Sequence, residues 1–197
     1  CIRDSWESRG SRLKSTVKRK GKKVAQLEHN FQVISEEITA AQIDDYNEIY
    51  FKSWKQEEPF PNFIPTLLHK TGDAKTLRLG ILYIEGKPVA SQIWLTFAGV
   101  AYIYKLAYDP DFQQLSVGSL LSHHLFKHAI EVDGVSAIDY LTGNDGYKAE
   151  WMEHCRPLSG LEIAVPYRPR GLAIVMISIV KHNIKVCLNW LKNIKPG

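Results

Sequence analysis

Cysteine is scarce in this 197-residue chain: Cys1, Cys155 and Cys187 form no C-x-x-C pair and leave an odd thiol. That argues against a disulfide-stapled secreted scaffold and for a reducing compartment, with the cytoplasm as the expected location. No initiating methionine is present, and the opening residues are too poor in apolar side chains for the core of a signal peptide. The expectation is a piece of a longer protein. Acid is missing between Arg9 and Lys23, where eight Lys or Arg accumulate with no aromatic among them. Without rings to stack on bases, this segment reads as a solvated basic helix face, with phosphate or nucleic-acid binding as the alternative. No internal repeat is found.

Apolar residues make up 45% of the chain, enough for one core without metal or disulfide staples. Phe31–Ser35 alternates as a first strand should. Ile43, Tyr46, Tyr50 and Trp54 recur at helical spacing behind Thr39, a candidate cap, and a second short helix is expected from Pro61 or Asn62 to Lys70. Leu77–Ile84, Pro88–Phe97 and Val100–Tyr108 are rich in β-branched and aromatic residues and are punctuated at Glu85-Gly86 and Ala98-Gly99, which predicts an antiparallel meander. A helix bearing Leu121, Leu125 and Ala129 follows, then a strand over Val135–Leu141, a short helix over Tyr147–Glu153 and a strand over Leu161–Val165. The fold class is α/β: a mixed, mostly antiparallel central sheet flanked by helices. Residues 1–168 are expected to form one domain and 169–197 a helical extension. The uncharged stretch Leu172–Val180 is far short of the roughly 20 residues that span a bilayer. It reads as a docked terminal helix or as one lying on a membrane surface or partner.

Where chemistry is concerned, the start of the helix after Val100–Tyr108 gathers unpaired amides at a positive dipole end, with Ser116 placed to cap it. Asp139 sits in an otherwise apolar strand, where burial would raise its pKa toward the range of a base. Lys105 interrupts Tyr102-Ile103-Tyr104 and Leu106-Ala107 and needs an anion, for which Asp139, Asp145 or a substrate carboxylate or phosphate would serve. Lys148 would do the same for an acidic acceptor, while Trp151 reads as packing. His123, His124 and His128 cluster, the last two four apart on one helix face with Glu131 one turn on, but no fourth ligand follows at metal-site spacing; they read as histidines of an exposed face, and we expect no metal.

The chain resembles the GNAT acyltransferase superfamily, and within it the acetyltransferase domain named for a bacterial cellulose-biosynthesis protein, related to the peptidoglycan-bridging Fem-type aminoacyltransferases. The features that carry the resemblance are the basic opening Arg12–Lys23, Ser53-Trp54-Lys55, Gly86 with Pro88-Val89-Ala90, Tyr104–Asp109, Ser116 with Gly118 and Leu120-Leu121, and Asp139–Gly143 through Tyr147-Lys148 to Trp151. It covers nearly everything up to about Arg168. In place of the superfamily's Q/R-x-x-G-x-G/A loop, Gln114–Ser119 has one glycine flanked by serines.

The resemblance implies acetyl-CoA or another acyl-CoA as co-substrate. Leu106, Ala107 and Tyr108 would pair with its pantetheine arm, and Ser116, Val117, Gly118 and Ser119 would meet its phosphates. Asp139 would act as base and Tyr147 as the acid that protonates the leaving thiolate, with Lys105 and Lys148 as further catalytic candidates. The acceptor would be an amino group of a sugar or small metabolite, in the setting of cell-surface polysaccharide synthesis. A GNAT-like half ahead of this one would be a partner. Aminoacyl transfer from tRNA and a catalytically silent GNAT-like module stay open as alternatives.

Overall fold

A computed structural model describes residues 6–55, 58–143, 145–157, 159–161, 163–165 and 168–193. Packing divides the chain into two compact units, the first ending at Glu153 and the second starting at His154.

The first unit is built on a five-stranded sheet in the order β1-β2-β3-β4-β5. Its strands are β1 (His29–Ile34), β2 (Leu77–Ile84), β3 (Lys87–Phe97), β4 (Val100–Tyr108) and β5 (Ala137–Asp139). The first four are antiparallel neighbours; β5 joins β4 in parallel. Tight turns set the meander: Glu85 and Gly86 have φ of 51° and 72°, Ala98 and Gly99 49° and 75°, the left-handed pairs that two-residue hairpins require.

Helices α1 (Ser11–Val24) and α4 (Val117–Glu131) cover one face, α2 (Ala40–Lys52) and α3 (Phe63–Asp73) the other. On α1, Leu13, Val17 and Val24 are buried at helical spacing beneath an exposed basic surface. Thr39 starts α2 through a capping box: its hydroxyl accepts from Gln42 N at 3.3 Å and its own N–H donates to Gln42 Oε1 at 3.0 Å. Facing α4 is Gly80 of β2, where an added Cβ would lie 2.7 Å from Leu125 Cδ1, so the absence of a side chain there sets how closely helix and sheet approach. Trp94, Leu121 and Leu125 are at most 1% exposed on this side, each contributing about 1.5–3 kcal/mol of burial.

Three expectations are corrected. The strand over Val135–Leu141 forms only at Ala137–Asp139, because β5 has a neighbour only along the first residues of β4. No strand occurs among the described residues of 161–165; Leu161 and Ile163 are 86% and 82% exposed, without the burial that favours a pleated pairing. The histidines, expected on an exposed face, are partly buried instead: His123 packs against the Trp6 ring at 4.4 Å and His124 stacks on Phe31 at 4.7 Å.

A short helix, α5 (Lys148–Trp151), closes the first unit. The second contains α6 (Pro169–Asn193), on which Leu172, Met176 and Ile177 are exposed. No helix of the described residues is long and apolar enough to cross a membrane.

Candidate active site

Two strands that start as partners and then separate create the site. β4 and β5 share only the pairs Val100↔Ala137, Ala101↔Ile138 and Tyr102↔Asp139. Past Tyr102, β4 continues to Tyr108, whereas the chain after Asp139 turns aside at Tyr140 and Leu141, the latter with φ of 57°. A bulge adds to the divergence. Ile93 faces Lys105 and Trp94 faces Ile103, so Tyr104 is a surplus residue that bends the strand. A cavity of about 330 Å³ opens in the gap. Ile103–Leu106 form one wall, Tyr140–Thr142 with Asp145, Tyr147 and Lys148 the opposite one, and Tyr50 and Lys55 an end.

The bulge also delivers Lys105 to its partner, which is none of the anions expected from the sequence. Lys105 Nζ donates to the carboxylate of Glu58 and lies 5.4 Å from the Tyr50 ring centre; Tyr50 donates its hydroxyl to the same carboxylate at 2.7 Å. Burial by itself would push the Glu58 pKa up, but the hydrogen bonds from Lys105 and Tyr50 outweigh it and leave the group below the usual glutamate value. The Tyr50 phenol is pushed up to about 12, by burial first and then by its bond to Glu58. Sequence reasoning missed Glu58; the signal available was the unpaired Lys105 on an apolar strand.

Tyr147 reaches the cavity with its ring edge-on to Tyr140 at 5.9 Å. Its pKa is raised, by burial and then by the nearby charge of Asp145. Lys148 is committed to the loop: Nζ donates to the carbonyls of Thr142 at 2.7 Å and Tyr140 at 3.4 Å and lies 3.3 Å from Asp145 Oδ2. Asp139 does not line the cavity. It is partly buried at the end of β5, and its Oδ1 accepts from Leu141 N at 2.7 Å, so it shapes the turn that carries the opposite wall.

At the other end of β4 a turn of 3₁₀ helix (Pro110–Leu115) leads to Ser116 and α4. Ser116 does not cap the helix with its side chain, contrary to expectation. Its backbone is left-handed, φ 53° and ψ 41°, whereas a capping serine uses extended backbone to aim its oxygen at the first turn. The Ser116 carbonyl accepts from Leu120 N at 3.0 Å, and the amides of Val117, Gly118 and Ser119 have no acceptor within the helix. Ser116 adopts the turn that glycine would favour, at about 1–2 kcal/mol, and Gly118 remains glycine because a Cβ would sit 3.2 Å from Tyr108 Cδ1. The first turn of α4 is fixed from below by Gln92, 1% exposed, which donates to Gly118 O at 3.0 Å and Ser122 Oγ at 2.8 Å and accepts from Trp94 Nε1 at 2.9 Å. Three free amides on a 15-residue helix suit an anion, and the open edge of β4 suits an extended amide-bearing chain. Among the described residues, no group of three or more His, Cys, Asp or Glu is arranged to hold a metal.

The sequence pattern of the acetyltransferase (GNAT) domain family matches residues 11–149. The chain belongs to that family and is an acyltransferase. No curated protein matches it. Among solved structures, AAC(6')-Iy in complex with the bisubstrate analogue CoA-S-monomethyl-acetylneamine is similar in fold, with a TM-score of 0.53 and 10% identity over 70% of this chain and 99% of that one. The ribosomal-protein-S18-alanine N-acetyltransferase of Escherichia coli gives a TM-score of 0.48 at 19% identity, covering 63% of this chain and 74% of its own. The aminoglycoside acetyltransferase meta-AAC0020 from an uncultured soil metagenomic sample, solved with trehalose, gives 0.48 at 15% identity, covering 71% and 96%.

Proposed function

We propose that the chain transfers an acyl group, acetyl first among them, from acyl-CoA to an amino group of a sugar or small metabolite in the cytoplasm. The observation that carries this reading is the unpaired edge of β4 leading into a cavity whose wall includes Tyr147. Acyl-CoA supplies the thioester carbonyl that an amine attacks. Leu106, Ala107 and Tyr108 would hold its arm along the strand edge, and the amides of Val117, Gly118 and Ser119, in the turn set by Ser116, would hold its pyrophosphate.

As the new C–N bond forms and the C–S bond breaks, the amine loses a proton and the departing sulfur gains one. Tyr147, protonated at neutral pH as an ordinary phenol is and raised further by burial, donates to the sulfur. Asp145, the carboxylate in the cavity wall, receives the amine proton, while Asp139 holds the turn at Leu141. Lys105 places a cation fixed by Glu58 in the facing wall. Lys148 keeps Tyr147 and Asp145 on one loop. The resemblance to the cellulose-associated branch supports a polysaccharide setting, with a preceding GNAT-like half as partner.

Calorimetry with CoA and steady-state kinetics with acetyl-CoA and an amine panel test the proposal. Tyr147→Phe is expected to fold and bind CoA but to lose roughly 10²–10⁴-fold in kcat, and Asp145→Asn to lose more than Asp139→Asn. Wild-type protein that neither binds CoA nor turns over would instead be a silent module. The exposed cations of α1, among them Arg12, Lys18, Arg19, Lys22 and Lys23, favour a second reading, aminoacyl transfer from charged tRNA. A steep fall of tRNA retention with salt in filter binding, without CoA binding, would select it.

A further inference from the structure

One turn of helix is too short to hold its own position in water, yet α5 follows directly on Tyr147 and carries Lys148. Its place has to come from what packs on it. Trp151, 4% exposed, lies flat on Phe126 at 5.0 Å; Phe126 faces Tyr140 at 6.5 Å, and Tyr140 meets Tyr147. From outside, Trp6 closes this run of rings, 6.2 Å from Trp151. Beside it is Arg9, the first cation of the basic run, which departs from a solvated face with a side chain only 12% exposed. Its guanidinium donates to the carbonyl of Trp151, the last residue of α5, and lies 3.6 Å from the carboxylate of Glu153. Arg9 is also close enough to Tyr140 for its charge to act against the upward effect of burial on that phenol.

We propose that Arg9, with Trp6, is a positioning residue for the transfer reaction: the segment ahead of α1 grips the end of α5 and thereby sets the position of the Tyr147 hydroxyl in the cavity. The role of Tyr147 in turnover is taken from the function proposed above; the grip itself is independent of it. A planar fork suits the task, since one guanidinium reaches a backbone carbonyl and a carboxylate together, which an ammonium does with less directional control.

The test uses the full chain and the variants Arg9→Met, Arg9→Lys and Trp6→Leu. Arg9→Met is expected to lower kcat at least about tenfold with the KM for acetyl-CoA within about twofold, and Arg9→Lys to recover part of the loss. In ¹³C NMR of the tyrosine ring carbons, Tyr147 should titrate closer to the ordinary value of about 10 in Arg9→Met than in wild type. Combined with Tyr147→Phe, Arg9→Met should cost little further kcat, because both act on one proton transfer. Multiplying losses, or a Tyr147 titration and kcat both unchanged in Arg9→Met, would overturn the grip. Should Arg9→Met fail to fold, Trp6→Leu is read by the same measurements and the same criteria. Full turnover by Tyr147→Phe is a different failure: it removes Tyr147 as the acid and the catalytic part of this proposal, while the ring titration still decides the grip.

Discussion

A lysine on an apolar strand is unstable until an anion reaches it, and Glu58, 47 residues earlier, brings one to Lys105. The pair is 22% and 21% exposed, so its hydrogen bonds are partly desolvated and worth about 1.5–3 kcal/mol. Glu58→Gln is therefore expected to lower stability by about that amount in urea melts. The loss should be full above the unfolded glutamate pKa of about 4.3 and shrink below it. Because the folded pKa of Glu58 is lowered, its contribution is full above that point and is lost as pH falls through the folded value. Equal stability of wild type and variant at pH 7 would show the pair to be inert. At this scale the sequence carried half of the information. Lys105 stood out against its neighbours, while Tyr147 was marked only by the family resemblance; the identity of the anion depended on a contact between distant segments that no local pattern encodes. The same holds for Asp139, which the sequence placed in an apolar run and the fold turns toward Leu141 N.

Elements were legible where local chemistry and packing agree. The hairpins of β2, β3 and β4 follow from the left-handed turns at Glu85-Gly86 and Ala98-Gly99, and the start of α2 follows from Thr39 and Gln42. β5 was read too long because its pairing is parallel and ends where β4 bends away, a tertiary event. Gly80 illustrates a constraint visible only in the packed element. Gly80→Ala is expected to cost about 1–3 kcal/mol through overpacking against Leu125, measured as a lower melting temperature, and the double variant Gly80→Ala with Leu125→Val should regain part of it. A Gly80→Ala chain as stable as wild type would mean that α4 shifts freely, and with it the amides at its start.

For the whole molecule, the partly buried histidines make stability depend on mildly acidic pH. His123, His124 and His128 all have lowered pKa values, with burial the largest cause in each. They bind protons more readily unfolded than folded, so stability is full above the unfolded value of about 6.5 and declines as the pH falls through the lowered folded values. Chemical denaturation across pH 7 to 5 should show that decline, and His123→Phe, which keeps a ring against Trp6, should flatten it. A slope unchanged in that variant would exclude His123 as a source. The family match over residues 11–149 falls within the unit that ends at Glu153, so sheet, cavity and the start of α4 lie in one packed body.

The surplus Tyr104 has a consequence for how this sheet is read. In an evenly alternating strand, Lys105 and Ala107 would share the side of Ala101 and Ile103; after the bulge they lie on the other, and Leu106 and Tyr108 take their turn against α4. A chain shortened by that one residue would keep every later side chain on its present side and lose only the bend. Native-like melting together with lost affinity for CoA in such a deletion would mark the entrance, rather than the interior, as what the extra residue is for.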